Sequence, residues 1–219
     1  MTSSWRNPPA NPSIEQLAAV NELLQSIGQA PVSTLDTSNP DVSIAWNTLV
    51  STSRDVQAEG WTFNTEEHIQ ANRSAAADTE NFILLADNEL QVELEDNLAN
   101  MHHFGVLRQT ADGQRFLYDK EQHSDTWDYD PYVKKKYLFD WDVLPVPIQM
   151  YIVAKAAVQF SARVTGDTGQ YRMLKDREDY TRIQALEYET SQGDYSFLGL
   201  EKHDTAYQTY QPSHSLRRF

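Results

Sequence analysis

The chain has 219 residues, a formal net charge of −14 and no cysteine. Its length suits one large or two small domains, and its 40% apolar content is enough to bury a core. The charge argues against a protein that grips nucleic-acid phosphates or an anionic membrane surface. The lack of cysteine excludes disulfides and thiolate metal sites, and the polar first residues predict neither a signal peptide nor a membrane anchor.

Two helices are predicted in the first 60 residues. Ser13 begins a capping-box pattern, and the apolar series that follows it ends at Gly28. Asn39 is a second cap, and apolar residues at helical spacing continue from it to Gly60. We therefore expect residues 1–60 to supply the N-terminal helices of a bundle.

The apolar period changes from helical to two between residues 61 and 144. Residues 82–85 and 90–94 predict two strands on either side of an Asp-Asn turn, and the Asp-Gly pair at 112–113 predicts a hairpin. Alternating aromatic and polar residues over 137–143 predict a last strand. The sequence thus predicts a small antiparallel β domain over 61–144, inserted between helices.

The most apolar stretch, residues 145–164, predicts a long central helix that other helices surround. Two charged residues interrupt its apolar run, which favours a core helix over a membrane span. Three of its polar residues recur every four positions and therefore form one stripe, which we expect to face a neighbouring subunit or the lumen of an assembly. The stripe consists of Lys155, Gln159 and Arg163.

A further long helix is predicted from residue 170 to about residue 191, so that residues 145–192 complete the bundle. Its apolar side consists of Met173, Tyr180, Ile183 and Leu186. Residues 193–219 have no period long enough to form a core, and we interpret them as an extended arm that becomes ordered on a partner, with a disordered tail as the alternative. The predicted fold class is α+β, with about four helices, two N-terminal and two after residue 145.

The first third of the chain resembles tail tubular protein A of short-tailed bacteriophages. The resemblance lies in AVNELLQSIGQAPVSTL (19–35) and NPDVSIAWNTLVSTSRDVQAEGWTFNTE (39–66), where a helix ending in IG-x-APV leads to a second one closing on GWxFNTE. The later order of strands, acidic aromatic segment and long helix is similar too. The resemblance implies a bundle of helices that carries a β-rich domain, which agrees with the layout predicted from periodicity.

The resemblance also implies a function. Members of this family act as head-to-tail adaptors, forming a dodecameric ring between the portal protein and the tail nozzle protein, tail tubular protein B. The ring surrounds the channel through which genomic DNA leaves without specific binding, and tail fibres are a further possible partner. We therefore expect a virion protein of the head-to-tail interface, assembled in the host cytoplasm.

Two segments hold candidate contact residues. Aromatic and arginine side chains are over-represented among binding anchors. In the arm these side chains and two leucines are the candidate portal contacts, although half of them could instead fold back on their own subunit: Tyr195, Phe197, Leu198, Leu200, Tyr207, Tyr210, Arg217, Arg218 and Phe219. Candidates for nozzle or fibre contact, in a segment that could equally be a solvated loop, are Trp127, Tyr129, Tyr132, Lys134, Lys135 and Lys136. A run of three lysines is also typical of a solvent-exposed edge strand.

A tail-associated glycan hydrolase acting on host surface polysaccharide is the alternative from a different class. The acid and base would come from a pair among Asp125, Asp128, Asp130, Asp140 and Asp142. Nothing in the sequence fixes the separation of any such pair. The sequence contains no G-x-S-x-G, H-E-x-x-H, phosphate-loop or dinucleotide motif, so we assign no catalytic residue and expect neither metal nor cofactor.

Overall fold

The computed structural model describes residues 8–9, 11–76, 79–95 and 103–193. Within these ranges the chain is an α+β protein with four helices and two small antiparallel sheets of three strands each. The predicted fold class is therefore confirmed. The predicted arm lies outside the described residues, apart from Gly193.

The four helices are α1 (Ile14–Ser26), α2 (Pro40–Ala58), α3 (Val146–Val164) and α4 (Thr168–Gly193). At the start of α1, Ser13 Oγ accepts the backbone N–H of Gln16, and Gln16 Oε1 accepts that of Ser13. At the start of α2, Asn39 Oδ1 accepts the N–H of Asp41. Both predicted caps are confirmed, because each depends only on residues within three positions.

The central position of α3 explains its composition. It packs against α1, α2 and α4, and Ile148, Tyr151, Ile152, Ala156 and Phe160 are fully buried. Leucines and valines of α1 and α2 complete the same core. No helix in the described part of the chain is long and apolar enough to cross a membrane.

The six strands are β1 (Thr65–Gln70), β2 (Ile83–Leu85), β3 (Glu89–Leu94), β4 (Gly105–Gln109), β5 (Arg115–Asp119) and β6 (Tyr132–Tyr137). The first sheet has the order β1-β6-β3, and the second has the order β2-β5-β4. Side chains of both sheets form a second, smaller core around Ile83, Leu117 and Val133.

The structure refines one strand prediction and contradicts another. β2 and β3 flank the predicted Asp-Asn turn, but they lie in different sheets, since β2 pairs with β5 and β3 pairs with β6. The prediction of a last strand over 137–143 is wrong, because β6 ends at Tyr137 and Trp141–Val143 form a 3-10 turn. Trp141 packs into the helical core instead. The lysine run lies in the middle strand of the first sheet, not at an edge.

Two buried amides join the helices to the first sheet. Gln57, at the end of α2, accepts the N–H of Phe139 at 2.8 Å and donates to the carbonyl of Phe139 at 3.2 Å. Asn64 donates to the carbonyls of Gln57 and Tyr137. Between them, Gly60 has a φ of 83°, and a Cβ there would lie 2.6 Å from Lys136 Cε. Glycine is therefore required where the chain leaves α2 for the sheet.

The helix α4 packs on the bundle with its polar side. An apolar helix side normally faces a core, but the exposed fractions here are 75% for Met173, 62% for Tyr180, 56% for Ile183 and 45% for Leu186. The buried residues are Glu178, Thr181 and Ala185. Small side chains let α4 approach α3 closely, and Arg182 Nη1 donates to the hydroxyl of Tyr151 at 2.6 Å.

Candidate interaction surfaces

The polar stripe of α3 faces α2 of the same chain. Its contacts are Lys155 with Glu59 at 3.3 Å, Gln159 with Thr52 at 3.5 Å and Arg163 with Thr48 at 3.2 Å. Lys155 and Gln159 are half-buried by these contacts, whereas Arg163, near the end of α3, is exposed. Of the three, Arg163 therefore offers the most surface to another molecule.

A charged network around Tyr151 ties α2, α3 and α4 together. Glu59 lies 3.3 Å from Lys155 Nζ and 3.5 Å from an Arg182 Nη. The ammonium of Lys155 lies 5.4 Å from the centroid of the Tyr151 ring. Burial lowers the pKa of Lys155, but interactions with Tyr151 and Glu59 outweigh this effect and raise the pKa above its usual value. Lys155 is therefore charged at neutral pH, and the network serves packing within the chain.

The segment proposed for nozzle or fibre contact is only partly at the surface. Trp127 is 3% exposed, and its Nε1 donates to the carbonyl of Leu117 at 2.8 Å. Tyr129 is half-buried beside the rings of Trp127 and His103, and burial is the main cause that raises its pKa. Tyr132 is exposed. The tyrosine at 132 is thus the aromatic side chain of this segment that is best placed for a partner.

The three lysines of β6 are in three different environments. Lys134 Nζ lies 2.5 Å from Glu67 Oε1, and this hydrogen bond raises the pKa of Lys134 above its usual value, although burial opposes the shift. Lys135 is buried and its Nζ lies 2.6 Å from Glu89 Oε1. Lys136 is half-buried and packs along Gly60. Cross-strand glutamates neutralise two of the three charges, which disfavours a phosphate site here.

The five aspartates of the hydrolase alternative lie in two regions. Asp125, Asp128 and Asp130 lie in the loop between β5 and β6, whereas Asp140 and Asp142 lie beside the start of α1. Within the second group, Asp142 accepts a hydrogen bond from Ser13 Oγ at 2.6 Å. Each region would have to supply its own pair of acid and base.

Asp130 is held as a carboxylate by Arg73. Its Oδ1 accepts from the Nε of Arg73 at 2.8 Å and from the backbone N–H of Arg73 at 3.1 Å. These two hydrogen bonds lower the pKa of Asp130 below its usual value. A glycosidase acid requires the opposite shift. Asp130 therefore fastens the loop after β1 to the loop before β6, and it is unsuited to protonate a leaving group.

Sequence reasoning missed a buried carboxylate in the second sheet. Asp119 is 2% exposed and pairs with the His103 ring, while its Oδ1 accepts backbone N–H groups of Phe104, Glu121 and Gln122 at 2.9–3.3 Å. Burial raises the pKa of Asp119, but these hydrogen bonds outweigh it and hold the pKa below its usual value. No local spacing signals this site, because His103 lies 16 residues away.

Among the described residues, no group of three or more His, Asp or Glu side chains is placed to hold a metal ion.

Among the described residues of the bundle, two groups of exposed large apolar side chains stand out. The first is the outer row of α4, which consists of Met173, Tyr180, Ile183 and Leu186. The second, here named the bundle-end patch, lies where α1 and α3 begin and consists of Ile14, Val143, Val146 and Met150. Apolar side chains grouped on a surface mark sites of interaction with other chains.

A fold with buried polar ties, paired lysines and exposed apolar faces is typical of a structural subunit that works within a larger assembly. The comparison with protein families gives this class its identity. The chain belongs to the tail tubular protein family, because the family model described as "Tail tubular protein" matches residues 17–195, over four-fifths of its length. It is accordingly a structural protein of a bacteriophage tail, located in the virion tail. No curated protein matches the chain.

Proposed function

We propose that the chain is a ring-forming head-to-tail adaptor, of which twelve copies join the portal to the tail nozzle and surround the DNA ejection channel. The observation that carries this proposal is the family match over residues 17–195. The helices of 1–60 and 145–192 form the ring, the β domain of 61–144 faces the nozzle protein or tail fibres, and the arm of 193–219 faces the portal. The adaptor would assemble in the host cytoplasm.

The charge of the chain supports passage of DNA without binding. A net charge of −14 on each copy repels phosphate. Lys134, Lys135 and Lys155 each have a glutamate partner within 3.3 Å, and this pairing weakens their attraction for a passing phosphate. DNA would therefore meet few basic side chains that could slow its transit.

Two unlike surfaces on each copy are what a closed ring requires. The bundle-end patch lies at the first turn of α3, and the exposed pair of Ile44 and Arg163 lies near its last turn. These turns are about 25 Å apart along a helix with a rise of 1.5 Å per residue. We propose that the patch of one copy contacts Ile44 and Arg163 of the next.

The β domain would meet the nozzle protein or tail fibres through the outer side of the first sheet. Tyr132 is exposed, and Lys134 and Lys136 keep part of their surface. Trp127 and Lys135 are buried, so we leave them out of the proposed contact. An exposed tyrosine next to lysines is a suitable anchor for an acidic or mixed surface.

The portal contact can be tested directly. Full-length chain mixed with purified portal should co-sediment with it, and replacing the last three residues (Arg217→Ala, Arg218→Ala, Phe219→Ala) should weaken binding at least tenfold, because anchors of this kind cost about 1.4 kcal/mol or more. A matched control, Tyr171→Ala with Arg172→Ala, removes an exposed aromatic and a basic side chain from α4 and should leave binding unchanged. A chain that does not bind portal would contradict the proposal.

A further inference from the structure

The outer row of α4 points away from the bundle. Met173, Tyr180 and Ile183 are spaced by seven and three residues, so they lie along one side of the helix, with Leu186 beside them. The side that packs on the bundle contains Thr181 and Ala185. All four side chains of the row are between 45% and 75% exposed in the described part of the chain.

We infer that residues 194–219 of the same chain bind the outer row of α4 in the isolated subunit. This segment begins where α4 ends, at Gly193. A segment of this length can extend up to about 86 Å at roughly 3.3 Å per residue, whereas the row from Leu186 back to Met173 is about 20 Å long. The tether also supplies a local concentration on the order of millimolar.

If residues 194–219 run back antiparallel to α4, the apolar and charged groups along the segment meet complementary groups along the helix. The segment places its apolar group first and its basic group last: Tyr195, Phe197, Leu198 and Leu200, then Arg217 and Arg218. Going back from its C-terminal end, α4 presents Leu186, Ile183 and Tyr180, then Asp179 and Asp176. Apolar side chains would thus cover the row, and the arginines would reach the exposed carboxylates of Asp176 and of Asp179, the latter already 3.2 Å from Lys175 Nζ.

The size of the row favours a tethered occupant over a second copy of the bundle. A stable interface between separate chains buries about 800 Å² on each partner. Four side chains on one helix supply less than that area, because even an aromatic residue buries only about 150–250 Å² in full and these four are 45–75% exposed before any partner binds. A segment that is already attached does not lose translational freedom on binding, so a smaller surface suffices.

The test uses the full-length chain without portal. The natural sequence has no cysteine, so a single Glu187→Cys, on the outer side between the row residues, can be labelled with a maleimide. We expect labelling to become roughly tenfold faster when Phe197, Leu198 and Leu200 are all changed to Ser, which corresponds to a segment bound in about nine molecules of ten. Asn47→Cys, on the exposed side of α2, is the matched control. It should be labelled at the same rate whether residues 194–219 are natural or carry the three Ser substitutions.

Two results would overturn the inference. Equal labelling rates at position 187 with the intact and the substituted segment would show that the segment does not cover the row. Protection that grows with protein concentration would assign the row to another copy. Because portal is absent from the experiment, either result leaves the proposed adaptor role to be judged by the portal-binding assay.

Discussion

Lys135 Nζ lies 2.6 Å from Glu89 Oε1 across the first sheet, and both side chains are at most 11% exposed. One position earlier, Lys134 makes a similar pair with Glu67, but there the glutamate side chain is 59% exposed. The two pairs have the same chemistry and differ in burial. Their contributions to stability should therefore differ severalfold.

Removing the buried lysine should be costly. We expect Lys135→Met to lower the free energy of unfolding by about 3–5 kcal/mol, because Glu89 would be left as a buried charge without its partner. The matched change Lys134→Met should cost about 1 kcal/mol or less, since the pair is partly solvated. Urea unfolding of both variants measures the difference. Equal losses would contradict the assignment of Lys135 to the interior.

The joint between helices and sheet depends on the amide of Gln57. We expect Gln57→Leu to destabilise the chain by about 2–4 kcal/mol, because the backbone N–H and carbonyl of Phe139 would lose their partner in a buried setting. Asn47→Leu, at an exposed position of the same helix, should change stability by no more than about 0.5 kcal/mol. Thermal unfolding followed by circular dichroism compares them. Comparable melting temperatures would argue against this joint.

Acid sensitivity should depend on Asp119. Its pKa in the folded chain is below the ordinary value of 3.8, so its carboxylate contributes stability at higher pH. That contribution is lost as the pH falls below 3.8 and through the lower pKa of the folded state. We expect Asp119→Asn to be less stable than the natural chain at pH 7 and to lose less further stability between pH 5 and pH 2.

The control for this pH series is Asp125→Asn, at an exposed loop position. Its unfolding free energy should follow the natural chain across the same pH range. If Asp119→Asn and the natural chain showed parallel losses in acid, the proposed role of the carboxylate would be wrong.

The hydrolase alternative is tested by a separate activity assay. We expect no release of reducing sugar from host surface polysaccharide by the purified chain, because the chain belongs to a family of structural tail proteins and Asp130 is held as a carboxylate by Arg73. Release that disappeared in Asp128→Asn or Asp140→Asn would establish an enzyme. Retained release in both variants would point to a contaminating hydrolase.

Helix positions could be predicted because their signals are local. The capping box at Ser13 and the cap at Asn39 require only neighbours in the sequence, and both form as expected. The central helix was predictable for a related reason. A stretch that is apolar on nearly all sides has no stable place except among other helices, and α3 lies among three of them.

Strand pairing and the orientation of α4 depend on distant residues, so the sequence did not reveal them. β6 contains three consecutive lysines, and it becomes a middle strand because Glu67 and Glu89 on its neighbours pair with two of them. The packed side of α4 includes a contact with Tyr151, whose hydroxyl accepts a hydrogen bond from Arg182. These contacts join residues that are far apart in the sequence, and the spacing of apolar residues does not predict them.

The copy number of the chain on the portal tests the central claim most directly. Native mass measurement of purified portal saturated with the full-length chain, supported by negative-stain images, should give a complex that carries twelve copies arranged as a ring. A chain that remains a monomer and does not bind portal at micromolar concentration would contradict the adaptor role.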